Sequence, residues 1–185
     1  MEAGRRAEST AQARWRRAPR LLAGLLIIGP AAAEAPSLAL PLSPACVSSP
    51  FGARPAGGGP RASRIHAGID LPAPAGSWVR AAAAGQVSFI RRLGAAGLEV
   101  EIRHEGGLAT RYAHLGTVAP ALASGQRAVA QGERIGRIGR TGITYGTHLH
   151  FELLIGGVRQ DPAPFLGVAP CGAAAAPLGN APPSP

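Results

Sequence analysis

Leu98, Val100 and Ile102 alternate with Glu99, Glu101 and Arg103, a period of two that predicts a strand with one face buried. The same reading predicts strands over residues 79–83, 87–91, 108–114, 128–131, 134–138 and 148–155. Gly94 to Gly97, Gly106-Gly107 and Gly156-Gly157 supply turns between them. No stretch predicts a helix longer than a turn or two, so the expected architecture is all-β and antiparallel, sandwich-like or barrel-like.

Composition agrees and adds a constraint. The chain has 185 residues, 46% of them hydrophobic but only 4% aromatic, so Ala, Val, Ile and Leu must build the core. Its 26 glycines and 18 prolines demand many turns. The Gly57-Gly58-Gly59 run has no following Lys-Ser/Thr and opens no helix, so it reads as a loop and not a phosphate cradle.

Residues 1–35 read as an export signal: six arginines precede the apolar run from Leu21 to Gly29, and small residues suit cleavage after Ala33 or Ala35. That run is short for a membrane span, so no stable membrane insertion is expected after cleavage. Residues 36–45 read as a linker, 46–171 as the folded domain and 172–185 as a disordered tail rich in Ala and Pro. Such a chain is expected to be secreted or periplasmic. Cys46 and Cys171 are the only cysteines. In an oxidising compartment a bond between them would staple both ends of the domain, worth about 4 kcal/mol in the chain-entropy model; two buried thiols are the alternative.

The formal charge is +9, of which the export segment carries a good part. From Pro36 onward 13 arginines face seven acids, a net of +6, and there is no lysine. These arginines are scattered singly and not interleaved with aromatics, which argues against nucleic acid as a partner. An exported basic domain better suits an acidic polymer such as the cell wall.

The candidate chemistry lies in the histidines. In His148-Leu149-His150, strand alternation sends both imidazoles out of one face and Leu149 and Phe151 into the core. Such a pair suits a metal, but taken alone it is more often a surface accident or a hydrogen-bonded structural pair. In His66-Ala67-Gly68-Ile69-Asp70, an extended chain presents His66 and Asp70 together, while Gly68, Pro72 and Pro74 argue against a helix. Gly68 is expected to leave room for a metal or substrate between them. A local hydrogen bond is the plainer account of that spacing. His114 closes Arg111-Tyr112-Ala113-His114, and His104 reads as structural or as a rim residue. Glu152 shares the face of His148 and His150 and reads first as structural, with orienting a ligand or acting as a base as the alternatives. Tyr112 suits either groove or core, and Thr144-Tyr145 lies in a loop placed for substrate contact.

Phe51-Gly52-Ala53-Arg54, His66-Ala67-Gly68-Ile69-Asp70, Tyr112-Ala113-His114-Leu115, Gly139-Arg140-Thr141-Gly142 and His148-Leu149-His150-Phe151-Glu152 occur in one order across residues 46–166. In this the chain resembles the lysostaphin/LytM-type zinc metallopeptidases of bacterial cell walls. The resemblance implies a duplicated hybrid motif fold with a narrow groove, one Zn2+ per domain, and hydrolysis of peptide bonds in peptidoglycan. It implies His66, Asp70 and His150 as zinc ligands and His114 and His148 as catalytic imidazoles, without saying which is the general base. Three protein ligands leave a fourth position open, which hydrolysis requires.

Export and a disulfide favour D-alanyl cross-links over glycine bridges as the bond cut, by an enzyme expected to be a monomer. Residues 55–65 offer no counterpart to the tyrosine that some relatives place near the oxyanion. Two other functions fit the class: a non-catalytic activator of another wall hydrolase, which requires a lost ligand, and a wall-binding module using positive charge alone.

Overall fold

The structure is a computed structural model describing residues 38–54, 59 and 61–173. The export segment, Gly57-Gly58 and most of the expected tail lie outside those residues.

Eleven strands and two one-turn helices follow in order among the described residues. They are β1 (Gly52–Ala53), β2 (Ile65–His66), β3 (Ile69–Pro72), β4 (Trp78–Arg80), β5 (Gly85–Leu93), β6 (Gly97–Arg103) and β7 (Leu108–Val118). Helix α1 (Pro120–Ala123), β8 (Ala128–Val129), β9 (Arg134–Ile138), β10 (His148–Ile155), β11 (Val158–Gln160) and α2 (Ala163–Leu166) complete the chain. Nine strands form one antiparallel sheet with the path β11-β10-β7-β6-β5-β8; β3 pairs with β10, β9 with β7, and β4 with β9. The expected all-β antiparallel class is what the chain adopts. Strands 134–138 and 148–155 fall as expected, 79–83 begins one residue earlier and ends at Arg80, and 108–114 runs on to Val118.

The core forms where the alternating apolar faces meet: Ile69 and Leu71 of β3, Val100 and Ile102 of β6, Tyr112 of β7, and Leu149, Phe151 and Leu153 of β10 are fully buried. Tyr112 and Phe151 meet edge to face with centroids 5.3 Å apart. Tyr112 is therefore a core residue, its hydroxyl accepting the Ala82 N–H at 2.8 Å. His104 is structural too, donating Nδ1–H to the Ala84 carbonyl while Nε2 meets the Thr110 hydroxyl, each at 2.8 Å.

The polar face of β6 is not open to water as simple alternation suggests. Glu99 and Glu101 are each 5% exposed. Arginines from neighbouring strands cover them: Arg91 donates to Glu99 at 2.6 Å and Arg111 to Glu101 at 2.7 Å. Residues 38–45, read as linker, pack on the domain. Leu42 is buried, Ala39 N–H donates to the Ala82 carbonyl, and Arg80 N–H donates to the Pro41 carbonyl. Beside them Cys46 and Cys171 form a disulfide that joins the two ends of the described domain.

Gly68 serves a different purpose from the one its spacing suggests. A Cβ there would fall 2.1 Å from the Phe151 carbonyl oxygen, so the missing side chain admits the β10 backbone, not a ligand. Gly68→Ala must therefore push β10 away, and urea denaturation should show a loss of about 1–3 kcal/mol, the usual cost of overpacking. Stability equal to that of the parent protein would show that the two segments can part without penalty.

Candidate metal centre and groove

Register brings the site together. In the ladder between β3 and β10, His150 stands directly opposite Asp70, and on the other side of β10 it stands opposite Ala113, the neighbour of His114. Directly opposed residues have Cβ atoms about 5 Å apart, close enough for side chains on one face to share a point. His66 arrives from β2 just before β3, and His148 shares the face of His150 two residues upstream.

Three side-chain atoms converge. Asp70 Oδ1 lies 3.1 Å from His66 Nε2 and 3.0 Å from His150 Nδ1, and the two nitrogens are 3.0 Å apart. Among the described residues this is the group whose ligand atoms could hold a metal ion.

The outer atoms of each ring decide what faces inward. His66 Nδ1 lies 2.7 Å from the Pro50 carbonyl, which only accepts, so Nδ1 carries the proton and Nε2 offers a lone pair. His150 Nε2 lies 3.2 Å from Glu152 Oε1, so it donates there and turns Nδ1 inward. Two lone pairs and a carboxylate oxygen thus point at one another, an arrangement that only positive charge between them makes favourable. Donor separations of 3.0–3.1 Å approach the roughly 3.3 Å edge of a tetrahedron with bonds of about 2.0 Å. The residues fit a metal of that coordination.

Without a metal, protons serve instead. Burial would lower His150, but hydrogen bonds to Asp70 and Glu152 lift it to about 9. Burial would raise Asp70, but hydrogen bonds from His150 and His66 hold it well below the usual carboxylate range. Metal binding must therefore expel a proton from His150.

Glu152 is held firmly in place. Besides accepting from His150, it receives Arg159 Nε at 3.0 Å and Arg111 at 3.4 Å, which fix its carboxylate. Burial would raise its pKa, yet the bond to His150 and the Arg159 charge lower it. Its carboxylate anchors the His150 ring through Nε2.

The other two imidazoles flank this cluster. His114 and His148 meet edge to face with centroids 4.9 Å apart, and His114 is 5.9 Å from His150. His114 has a φ of 60°, the sole non-glycine residue with positive φ among those described. It sits where β7 leaves β10 and takes up β9, so the left-handed kink is part of how the strand turns. Its Nδ1–H donates to the Thr141 carbonyl at 2.9 Å, leaving Nε2 for the groove. Thr141 is itself anchored: its hydroxyl donates to the Leu115 carbonyl at 2.7 Å and accepts the Leu98 N–H at 2.8 Å.

For His148, Nδ1 lies 3.3 Å from the Thr144 hydroxyl oxygen, and Nε2 lies 3.5 Å from Asp70 Oδ1. The Thr144 hydroxyl donates to the Gly146 carbonyl, so it can accept from His148 Nδ1–H. Burial pushes both rings down, His114 to about 4, so both are neutral near pH 7.

All five side chains line one groove of about 580 Å³. Ile65, Ile143 and Tyr145 give it apolar walls, and Tyr145 accepts the Arg61 N–H at 2.8 Å across it. Thr144 lines the groove together with Tyr145 and also supports His148. The anchoring roles of Thr141 and Arg54 were missed: their motifs are visible in the sequence, but what each side chain touches is not. Arg54 donates to Ser49 Oγ at 2.8 Å and to Asp70 Oδ2 at 3.0 Å.

An antiparallel β-fold with two imidazoles and a carboxylate converging in an open groove, and two further imidazoles beside them, has the makings of a hydrolytic metal centre. Residues 64–162, which include all five side chains, match the model of peptidase family M23, and the chain belongs to that family.

Over 99 residues the chain is 46% identical to the DD-carboxypeptidase/endopeptidase Mpg of Neisseria meningitidis, covering 54% of this chain and 22% of that protein. It is 37% identical over 99 residues to the peptidoglycan DD-endopeptidase ShyC of Vibrio cholerae, covering 54% and 22%. The match spans about a fifth of the length of these relatives. A solved zinc-containing peptidase from Vibrio cholerae superposes with a TM-score of 0.55 at 28% identity, covering 65% of this chain and 37% of that one.

Proposed function

We propose that this chain is a zinc-dependent endopeptidase that hydrolyses peptide bonds in peptidoglycan stem or cross-link peptides, D-alanyl cross-links in particular. The observation that carries this reading is the convergence of Asp70 Oδ1, His66 Nε2 and His150 Nδ1 within 3.1 Å of one another, inside the groove that His114 and His148 line. The names of the two curated relatives and the zinc of the Vibrio peptidase support it.

His66, Asp70 and His150 would hold the ion. When bound, it supplies a Lewis acid that polarises a scissile carbonyl and lowers the pKa of an attacking water. His114, held neutral with Nδ1 engaged, has Nε2 free to accept a proton from water and return it to the departing amine nitrogen. His148, whose Nε2 lies 3.5 Å from Asp70 Oδ1, is the second candidate for that role. Ile65, Ile143 and Tyr145 line the groove with apolar surface against which small side chains such as alanine would pack.

A non-catalytic activator would need a missing donor, and all three are present. Residues 1–35 are read as the signal that exports the enzyme, which acts as a monomer outside the cytoplasm. No helix among the described residues is long and apolar enough to cross a membrane.

Purified sacculi digested with the mature protein test the activity. Mass spectrometry should show cross-linked dimers converted to monomers, with a chelator stopping the conversion and added zinc restoring it. Unchanged muropeptides with a zinc-loaded, folded protein would refute the proposal.

A further inference from the structure

Asp70 presents two oxygens, and the structure treats them differently. Oδ1 faces His66 and His150, whereas Oδ2 accepts from Arg54 at 3.0 Å. The same Arg54 nitrogen reaches Ser49 Oγ at 2.8 Å, which ties the guanidinium to the segment that also holds the Asp70 backbone. There Ser48 N–H donates to the Asp70 carbonyl and Asp70 N–H to the Ser49 carbonyl. Arg54 Nε is buried without a partner, the one such side-chain atom among the described residues. Leaving that donor unmatched is unfavourable. It is explained if the guanidinium is placed for Oδ2 and not for its own full satisfaction.

An unrestrained carboxylate can grip a cation with both oxygens. We propose that Arg54 is a positioning residue that confines Asp70 to Oδ1 as the metal donor and so keeps the fourth coordination position open for water and substrate. This rests on the metal reading above. A positive charge beside a metal ligand weakens net affinity for a cation, so the device trades binding for an open position.

Cobalt loading of the full protein tests this, because four-coordinate Co2+ absorbs more strongly in the visible than five-coordinate Co2+. The parent protein should give the intense four-coordinate spectrum, with His66, Asp70 and His150 holding the ion. Arg54→Ala should still bind cobalt but give the weaker spectrum of a higher coordination number. Its kcat for muropeptide cleavage should fall by about 10–100-fold with KM changed much less. Arg54→Lys, which keeps the charge, should recover part of the four-coordinate absorption.

A four-coordinate spectrum in Arg54→Ala would overturn the proposal, whatever its activity. Should Arg54→Ala not fold, Arg54→Met keeps the buried stem and is read in the same way. If the parent protein itself takes up no cobalt, the metal reading fails, a result distinct from an unchanged variant spectrum.

Discussion

Asp70→Ala and His150→Ala should each yield a folded protein that retains no metal after dialysis and cleaves no peptidoglycan. Each substitution removes one of three converging donors, and the remaining two cannot close a stable site. The folds should survive because neither side chain is part of the apolar core. Asp70→Ala does leave Arg54 with only Ser49 as acceptor, so Asp70→Asn, which keeps an oxygen for it, is the milder companion.

Thermal unfolding gives a second readout independent of turnover. An ion at about a thousandfold its dissociation constant stabilises the parent by roughly 4 kcal/mol, so added zinc should raise its Tm and leave both variants unmoved. Unchanged metal content in either variant would remove that residue from the ligand set.

Much of this was legible in the chain because strand periodicity is local. The parity of His148 and His150 against Leu149 and Phe151 requires only that the segment be extended, and β10 is. In the His66 to Asp70 run the parity of Ile69 and Leu71 was legible, and both go to the core, but a bend at Ala67-Gly68 puts His66 and Asp70 on strands of two different sheets.

What escaped depends on contacts between distant segments. Gly68 looks like a gap between ligands until β10 is seen to press its Phe151 carbonyl against it. Glu99 and Glu101 look solvent-facing until Arg91 and Arg111 cover them from adjacent strands. The 38–45 segment is short and interrupted by Pro41 and Pro44, yet Leu42 finds the core. Register across the sheet decides the first two, and the docking of a non-strand segment the third; both are set by the whole fold and not by a single strand.

His114→Ala should separate chemistry from metal binding. His114 lies outside the three-donor cluster, so the variant should hold zinc as the parent does, and its kcat should fall by on the order of 10²-fold or more, as expected when a general acid–base group is removed. The kink at φ 60° complicates a simple truncation, since alanine has no more liking than histidine for the left-handed region.

His114→Asn tolerates that conformation and still removes the imidazole, so equal inactivity in both variants assigns the loss to the ring and not to the bend. Thr141→Val extends the argument one step outward. It deletes the hydroxyl that ties Leu115 to Leu98 and so loosens the carbonyl that orients His114 Nδ1. Activity should fall less than in His114→Ala, with metal content again unchanged, and Thr141→Ser should restore it. Near-parental turnover in His114→Ala would leave proton transfer to His148 alone.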